Sequence, residues 1–170
     1  MGRDSARDTR TATSNRRRTW SGYGQLIRAE KSAFGRFLHD LTYVFTDVSV
    51  SILPLLFLVI ERPAARFYGV RAAMLVAWAT TVVVAAAIRG GLLCPPGTDA
   101  LGWVSLSPAL VVLRIGYFNL ALGVAAFGGV AVAGALGTPV AALALSFVVA
   151  LVATLAFPAA ADALYRRLAD

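Results

Sequence analysis

The chain has 170 residues, 58% of them hydrophobic and 15% charged, with a mean hydropathy of +0.71. Soluble domains carry about 25% charged and about 45–50% apolar residues, so this composition has too little polar surface for a water-facing globule and points to an all-α integral membrane protein. The formal charge of +7 comes from 16 Lys and Arg against 9 Asp and Glu, with nine of the cations before residue 40. That stretch offers neither a folded basic surface nor an aromatic stacking platform, which argues against nucleic acid as a partner.

Residues 1–24 are rich in Arg, Ser, Thr, Gly and Asp and have no apolar period, so they are expected to form a disordered basic tail. Arg17-Arg18-Thr19-Trp20 lacks the apolar stretch that a twin-arginine signal needs close behind it. Ala6 stands where a myristoylation motif after Met1-Gly2 needs Ser or Thr. From Gln25 the pattern turns helical: Ile27, Phe34, Leu38, Leu41 and Phe45 recur at helical spacing, with Arg28, Lys31 and Arg36 elsewhere. Residues 25–40 therefore read as a basic amphipathic helix lying on the cytoplasmic leaflet, or as a solvated lead-in to the first span.

Four spans follow, at about 41–60, 69–88, 108–136 and 139–157, within a helical bundle covering 41–170. About twenty residues at 1.5 Å each cross about 30 Å of hydrocarbon. Ser107-Pro108 and Thr138-Pro139 each place a capping hydroxyl before a proline at the helix start. Gly137-Thr138 then makes a tight hairpin between antiparallel neighbours. The first span is the exception: it holds Asp47, Ser49, Ser51 and Pro54, and its purely apolar part, Ile52 to Ile60, is too short to cross alone. A re-entrant or interfacial segment there would leave three spans and reverse everything downstream. With four spans, the tail cations, Arg89, Arg166 and Arg167 fall inside, so the chain is read as multi-pass in the cytoplasmic membrane with both termini cytoplasmic. Arg62, Arg66 and Arg71 in or beside the outer loop run against that rule. No internal repeat suggests the inverted halves of many transporters. Fifteen of the sixteen cations are arginine, which reads as the codon usage of a GC-rich prokaryote.

Within the first span, Arg36, Asp40, Tyr43, Asp47, Ser51 and Pro54 fall within about 80° of one another, with Leu38, Leu41, Phe45, Val48, Ile52, Leu55 and Val59 opposite. Lipid cannot solvate Asp47, so this polar stripe must face helices or water. Arg114 lies as far into the third span as Asp47 lies into the first, about 9 Å. An Asp47–Arg114 ion pair is expected, with Tyr43 or Asn119 completing its hydrogen bonds; the alternative has Arg114 snorkelling to the headgroups and Asp47 in a wet interfacial zone. A relay of protons or ions through the pair is a further reading.

Small residues form ridges at intervals of four: Ala121, Ala125, Gly129, Ala133 and Gly137 in span three, Ala73, Ala77, Thr81 and Ala85 in span two, and Ala142, Ser146, Ala150 and Thr154 in span four. Such ridges let helices approach closely in lipid. They predict a compact bundle with one ridge left over for a homomeric or heteromeric contact.

Candidate chemistry is sparse. Cys94 is the only cysteine and His39 the only histidine, which excludes an intrachain disulfide, a thiolate zinc site and bis-histidine haem. No basic neighbour other than Arg89 would activate Cys94. His39 and Asp40 are adjacent and point apart on a helix. The turn-rich segment from Arg89 to Ser107 carries Trp103 as an interfacial anchor. No GxSxG, Walker A sequence or acidic cluster is present. The sequence thus predicts a non-enzymatic structural or accessory subunit without a cofactor. It would act through helix packing in the lipid bilayer and a basic tail that attracts anionic headgroups or an acidic protein. The alternative is a small transporter, channel or sensor component using Asp47 and Arg114.

Overall fold

The computed structural model describes residues 33–62, 69–97 and 108–169. The expected tail (1–24), the first half of the expected interfacial helix (25–32 of 25–40), Arg66, Trp103 and the Ser107 cap lie outside these residues.

Every regular element among the described residues is helical. They are α1 (Ala33–Ser51), α2 (Leu53–Ile60), α3 (Val70–Arg89), α4 (Pro108–Gly123), a π-helical turn (Val124–Gly128), α5 (Gly129–Leu136) and α6 (Val140–Ala169). Three stretches are long and apolar enough to cross a membrane: Val70–Arg89, Pro108–Leu136 and Val140–Leu164. A fourth candidate is the α1–α2 pair, which passes the same test only as a unit and is bent by 68°.

The boundary expected at residue 40 between an interfacial helix and a first span is absent, because α1 runs unbroken from Ala33 to Ser51. The interruption comes twelve residues later, at Ile52, where Pro54 sits in the first turn of α2. Proline has no amide hydrogen and its ring crowds the preceding turn, so the continuous helix expected over 41–60 breaks into two. The break also corrects the expected faces. Val48, Ile52, Leu55 and Val59, placed opposite the polar stripe by a single helical phase, are buried together with Asp40 and Ser51. Val44 and Val48 flank Asp47 on the inner side of α1, and the bend turns Leu55 and Val59 inward. Leu38 and Phe45 remain outward.

Contacts along α3 run the length of this pair. Asp40, near the start of α1, meets Arg89 at the end of α3. Ser49 accepts a hydrogen bond from Trp78. The Ile60 carbonyl at the end of α2 accepts one from Arg71, at the start of α3.

The third long stretch contains the π-helical turn, which the sequence pattern does not reveal. Gly137 closes α5 in a left-handed conformation, φ 63°, that favours glycine. Thr138 does not cap α6 with its hydroxyl as expected; Oγ1 donates back to the Leu136 carbonyl at 3.3 Å, and the backbone carbonyls of Thr138 and Pro139 open the next helix instead. Nor does α6 stop at Phe157. It continues through Pro158 to Ala169, at the cost of one backbone bond. Packing sustains it there, since Phe157, Pro158 and Ala161 are buried.

Candidate functional site: two buried ion pairs and a bridged helix break

The inward face of α1 carries carboxylates at positions 40 and 47. Seven residues are two helical turns, so they stack about 10 Å apart along one side. Each meets an arginine from a different helix. Arg114 Nη1 of α4 donates to Asp47 Oδ1 at 3.0 Å, with the Arg114 side chain 4% exposed and that of Asp47 20% exposed. Arg89 Nε of α3 donates to Asp40 Oδ1 at 3.3 Å, and the Asp40 side chain is fully buried. The Arg89 guanidinium also lies 3.8 Å from the Tyr43 ring centroid, an attraction that strengthens away from water. α1 is thus tied to α3 by one rung and to α4 by the other. Burying any one of these charges alone would be costly, whereas paired and hydrogen-bonded they become joints between helices.

The structure therefore brings Asp47 and Arg114 together, and draws the rest of the stripe into other duties. Tyr43 packs on Arg89 rather than completing the Asp47–Arg114 pair. Ser51 Oγ donates to the Asp47 carbonyl one turn back, at 2.8 Å.

Asn119 is not a partner of the ion pair either. Its Nδ2 donates to the Ser51 carbonyl at 2.7 Å and also lies 2.7 Å from the Ile115 carbonyl, while its Oδ1 accepts the Leu55 amide at 3.1 Å. In an unbroken helix the Leu55 amide would bond directly to the Ser51 carbonyl. The Asn119 amide is inserted into that gap, donating to one end and accepting from the other. This is one of the few recognised causes of a sharp helix kink, and it satisfies two backbone groups that the break would otherwise leave without partners.

The ridges make the other joints. Ala73, Ala77, Thr81 and Ala85 of α3 and Ala142, Ser146, Ala150 and Thr154 of α6 are all fully buried, as is Ala125; Ala133 is 7% exposed. Gly129 is also buried and Ala121 half-buried, while Gly137 is exposed. A Cβ at Gly129 would stand 2.7 Å from Ser146 Oγ and 2.8 Å from the Ala142 carbonyl, closer than real Cβ contacts come. Ser146 Oγ lies 2.8 Å from the Ala125 carbonyl in the π-helical turn and 2.7 Å from that of Ala142. Thr154 Oγ1 lies 3.3 Å from Thr81 Oγ1. The expected spare ridge is not found: all three turn into the bundle, because the close approach each allows is used by a neighbour in the same chain.

The remaining candidates stand apart. His39 is exposed while Asp40 is fully buried, and Cys94 is exposed at the chain segment after α3. Among the described residues no group of three His, Cys, Asp or Glu side chains could hold a metal ion.

Arg89 and Asn119 take roles that the sequence analysis does not give them, the one as partner of Asp40 and the other as bridge of the helix break. Arg89 looked like a flanking cation at the end of an apolar run, although the spacing of Asp40 and Asp47 called for two cationic partners. A lone asparagine within an apolar helix has no local signature; Pro54 was the only hint that a backbone break needed repair.

Among the described residues, fold and site define a helical protein with three to four stretches apolar enough to span a membrane and with buried charge pairs between its helices. Residues 31–164 match the family described as Domain of unknown function (DUF8215), and the chain belongs to that family. No curated protein and no solved structure matches it.

Proposed function

We propose that the chain crosses a prokaryotic cytoplasmic membrane four times, with the bent α1–α2 pair as its first crossing and both termini in the cytoplasm, and that it is a structural or accessory subunit rather than an enzyme. The observation that carries this reading is the use of charge. Both inward carboxylates of α1 are matched by arginines of α3 and α4, so charge joins helices in a hydrocarbon setting where apolar surfaces have no drive of their own to associate. The nine cations before residue 40 would attract anionic lipid or an acidic protein, each contributing on the order of 1 kcal/mol near an anionic surface.

Two measurements on intact cells test it. A membrane-impermeant maleimide is expected to label a cysteine introduced at Ala64 and to spare Cys94; the reverse pattern overturns the topology. Deleting residues 1–24 is expected to release a copurifying stoichiometric partner or to free the protein from anionic vesicles. If both interactions are unchanged, the tail has no such role.

A second reading, a transporter, channel or sensor component, is favoured by the break at Ile52, since interrupted helices line the binding sites of many transporters. It requires Asp47→Asn to abolish an ion- or proton-coupled activity while the protein stays folded. A loss of stability alone counts against it.

A further inference from the structure

The bend at Ile52 leaves a crevice of about 210 Å³ between α2 and α3. Leu56 and Val59 line it from α2, and Met74, Leu75 and Trp78 from α3; Arg71 stands at one end. Its mouth opens outward beside side chains that are 63% exposed at Ile60 and 61% at Leu75. From Arg71 to Trp78 is seven residues, so the crevice runs about 10 Å inward from the start of α3.

The polar end has charge to spare. Arg71 Nη2 donates to the carbonyls of Ile60 at 2.6 Å and Arg62 at 2.8 Å, where it closes the C-terminus of α2. Those bonds engage one guanidinium nitrogen, and an arginine carries five N–H donors in all. In sequence this end also holds Glu61 and Arg62, and the Arg62 guanidinium lies 5.6 Å from the Phe127 ring centroid. Arg62 and Arg71 are also arginines that run against the inside-positive pattern.

We propose that this crevice holds one acyl chain of an anionic phospholipid, with the headgroup phosphate on the Arg71 guanidinium. The proposal rests on the membrane reading above. Apolar walls about 10 Å deep, enough for the first several methylenes of an acyl chain, end at a forked donor that matches a phosphate. Phosphatidylcholine carries the same phosphate but brings its own cation beside Arg71, so it gains the walls and a weaker headgroup contact, and a second protein copy would cover the mouth.

The test uses the full chain carrying Trp20→Phe and Trp103→Phe, so that Trp78 is the sole tryptophan, in phosphatidylcholine vesicles. A minor fraction of either brominated phosphatidylglycerol or brominated phosphatidylcholine is then added. Trp78 is expected to be quenched about fivefold more effectively by the anionic lipid, which corresponds to about 1 kcal/mol. Arg71→Gln is expected to bring the ratio close to one and Arg71→Lys to restore part of it. Leu75→Phe, which narrows the crevice while keeping Arg71, is expected to lower quenching by both lipids. Equal quenching in the parent protein, or a ratio untouched by Arg71→Gln, overturns the site. No quenching by either lipid while the protein floats with the vesicles means that protein covers the crevice, which also overturns it. Failure to float with vesicles sinks the membrane reading instead.

Discussion

α1 and α6 are held in the same bundle by opposite means. α1 docks through charge: Asp40 on Arg89 and Asp47 on Arg114, with Asn119 splinting its broken end. α6 docks through the absence of bulk. Its small residues Ala142, Ser146, Ala150 and Thr154 are fully buried, and the nearest approach, at Gly129, leaves no room for a methyl group. The difference teaches where each joint is fragile. A charged joint fails when one partner is removed, because the other is stranded; a ridge joint fails when anything is added.

The sharpest way to break the contrast is on the charged side. Arg114→Leu is expected to destabilise the protein by about 4 kcal/mol, read by denaturant unfolding in bicelles. Adding Asp47→Asn should recover most of that loss, since the stranded charge is then gone. A double variant as unstable as the single one would show that Arg114 acts through packing and not through its pair. On the ridge side, Gly129→Val is expected to cost about 3 kcal/mol through overpacking against Ser146 and the Ala142 backbone. Glycine to valine at the outward-facing Gly134, where an added Cβ meets nothing within 4 Å, serves as the control and should cost far less. If both valines cost the same, helix propensity and not close approach explains the loss. Asn119→Leu, which tests the splint, is expected to cost about 2 kcal/mol by leaving the Leu55 amide and Ser51 carbonyl without their bridge. Asn119→Gln, keeping the amide one methylene out of place, should rescue little of it. Full rescue would mean that the break needs a polar group nearby but not this geometry.

How much of this was legible differs between the two joints. The ridges could be read directly, because an interval of four marks one helix face and face membership is a local property. The meeting of Asp47 with Arg114 could be anticipated from depth alone, by counting residues from each helix start. Asp40 with Arg89 could not, for two reasons in the local pattern: Asp40 lies at the edge between the expected interfacial helix and the first span, where a carboxylate can face water, and Arg89 resembles any basic flank. The role of Asn119 depends on a backbone break in another helix, 64 residues from the amide it accepts, and no pattern within α4 points there. The π-helical turn at 124–128 and the passage of α6 through Pro158 likewise follow from what packs against them.

By itself the sequence determined which stretches are helical and apolar, that charge gathers before the first of them, and that a carboxylate at position 47 must find a partner. Those conclusions rest on backbone hydrogen bonding and transfer energies, which each segment carries with it. Only the tertiary structure decided where the first helix breaks, which arginine answers which carboxylate and what bridges the gap. Rotation, bend and register between helices are settled by whichever arrangement pairs the buried charges and packs the small-residue ridges at once, and that is a property of no single segment.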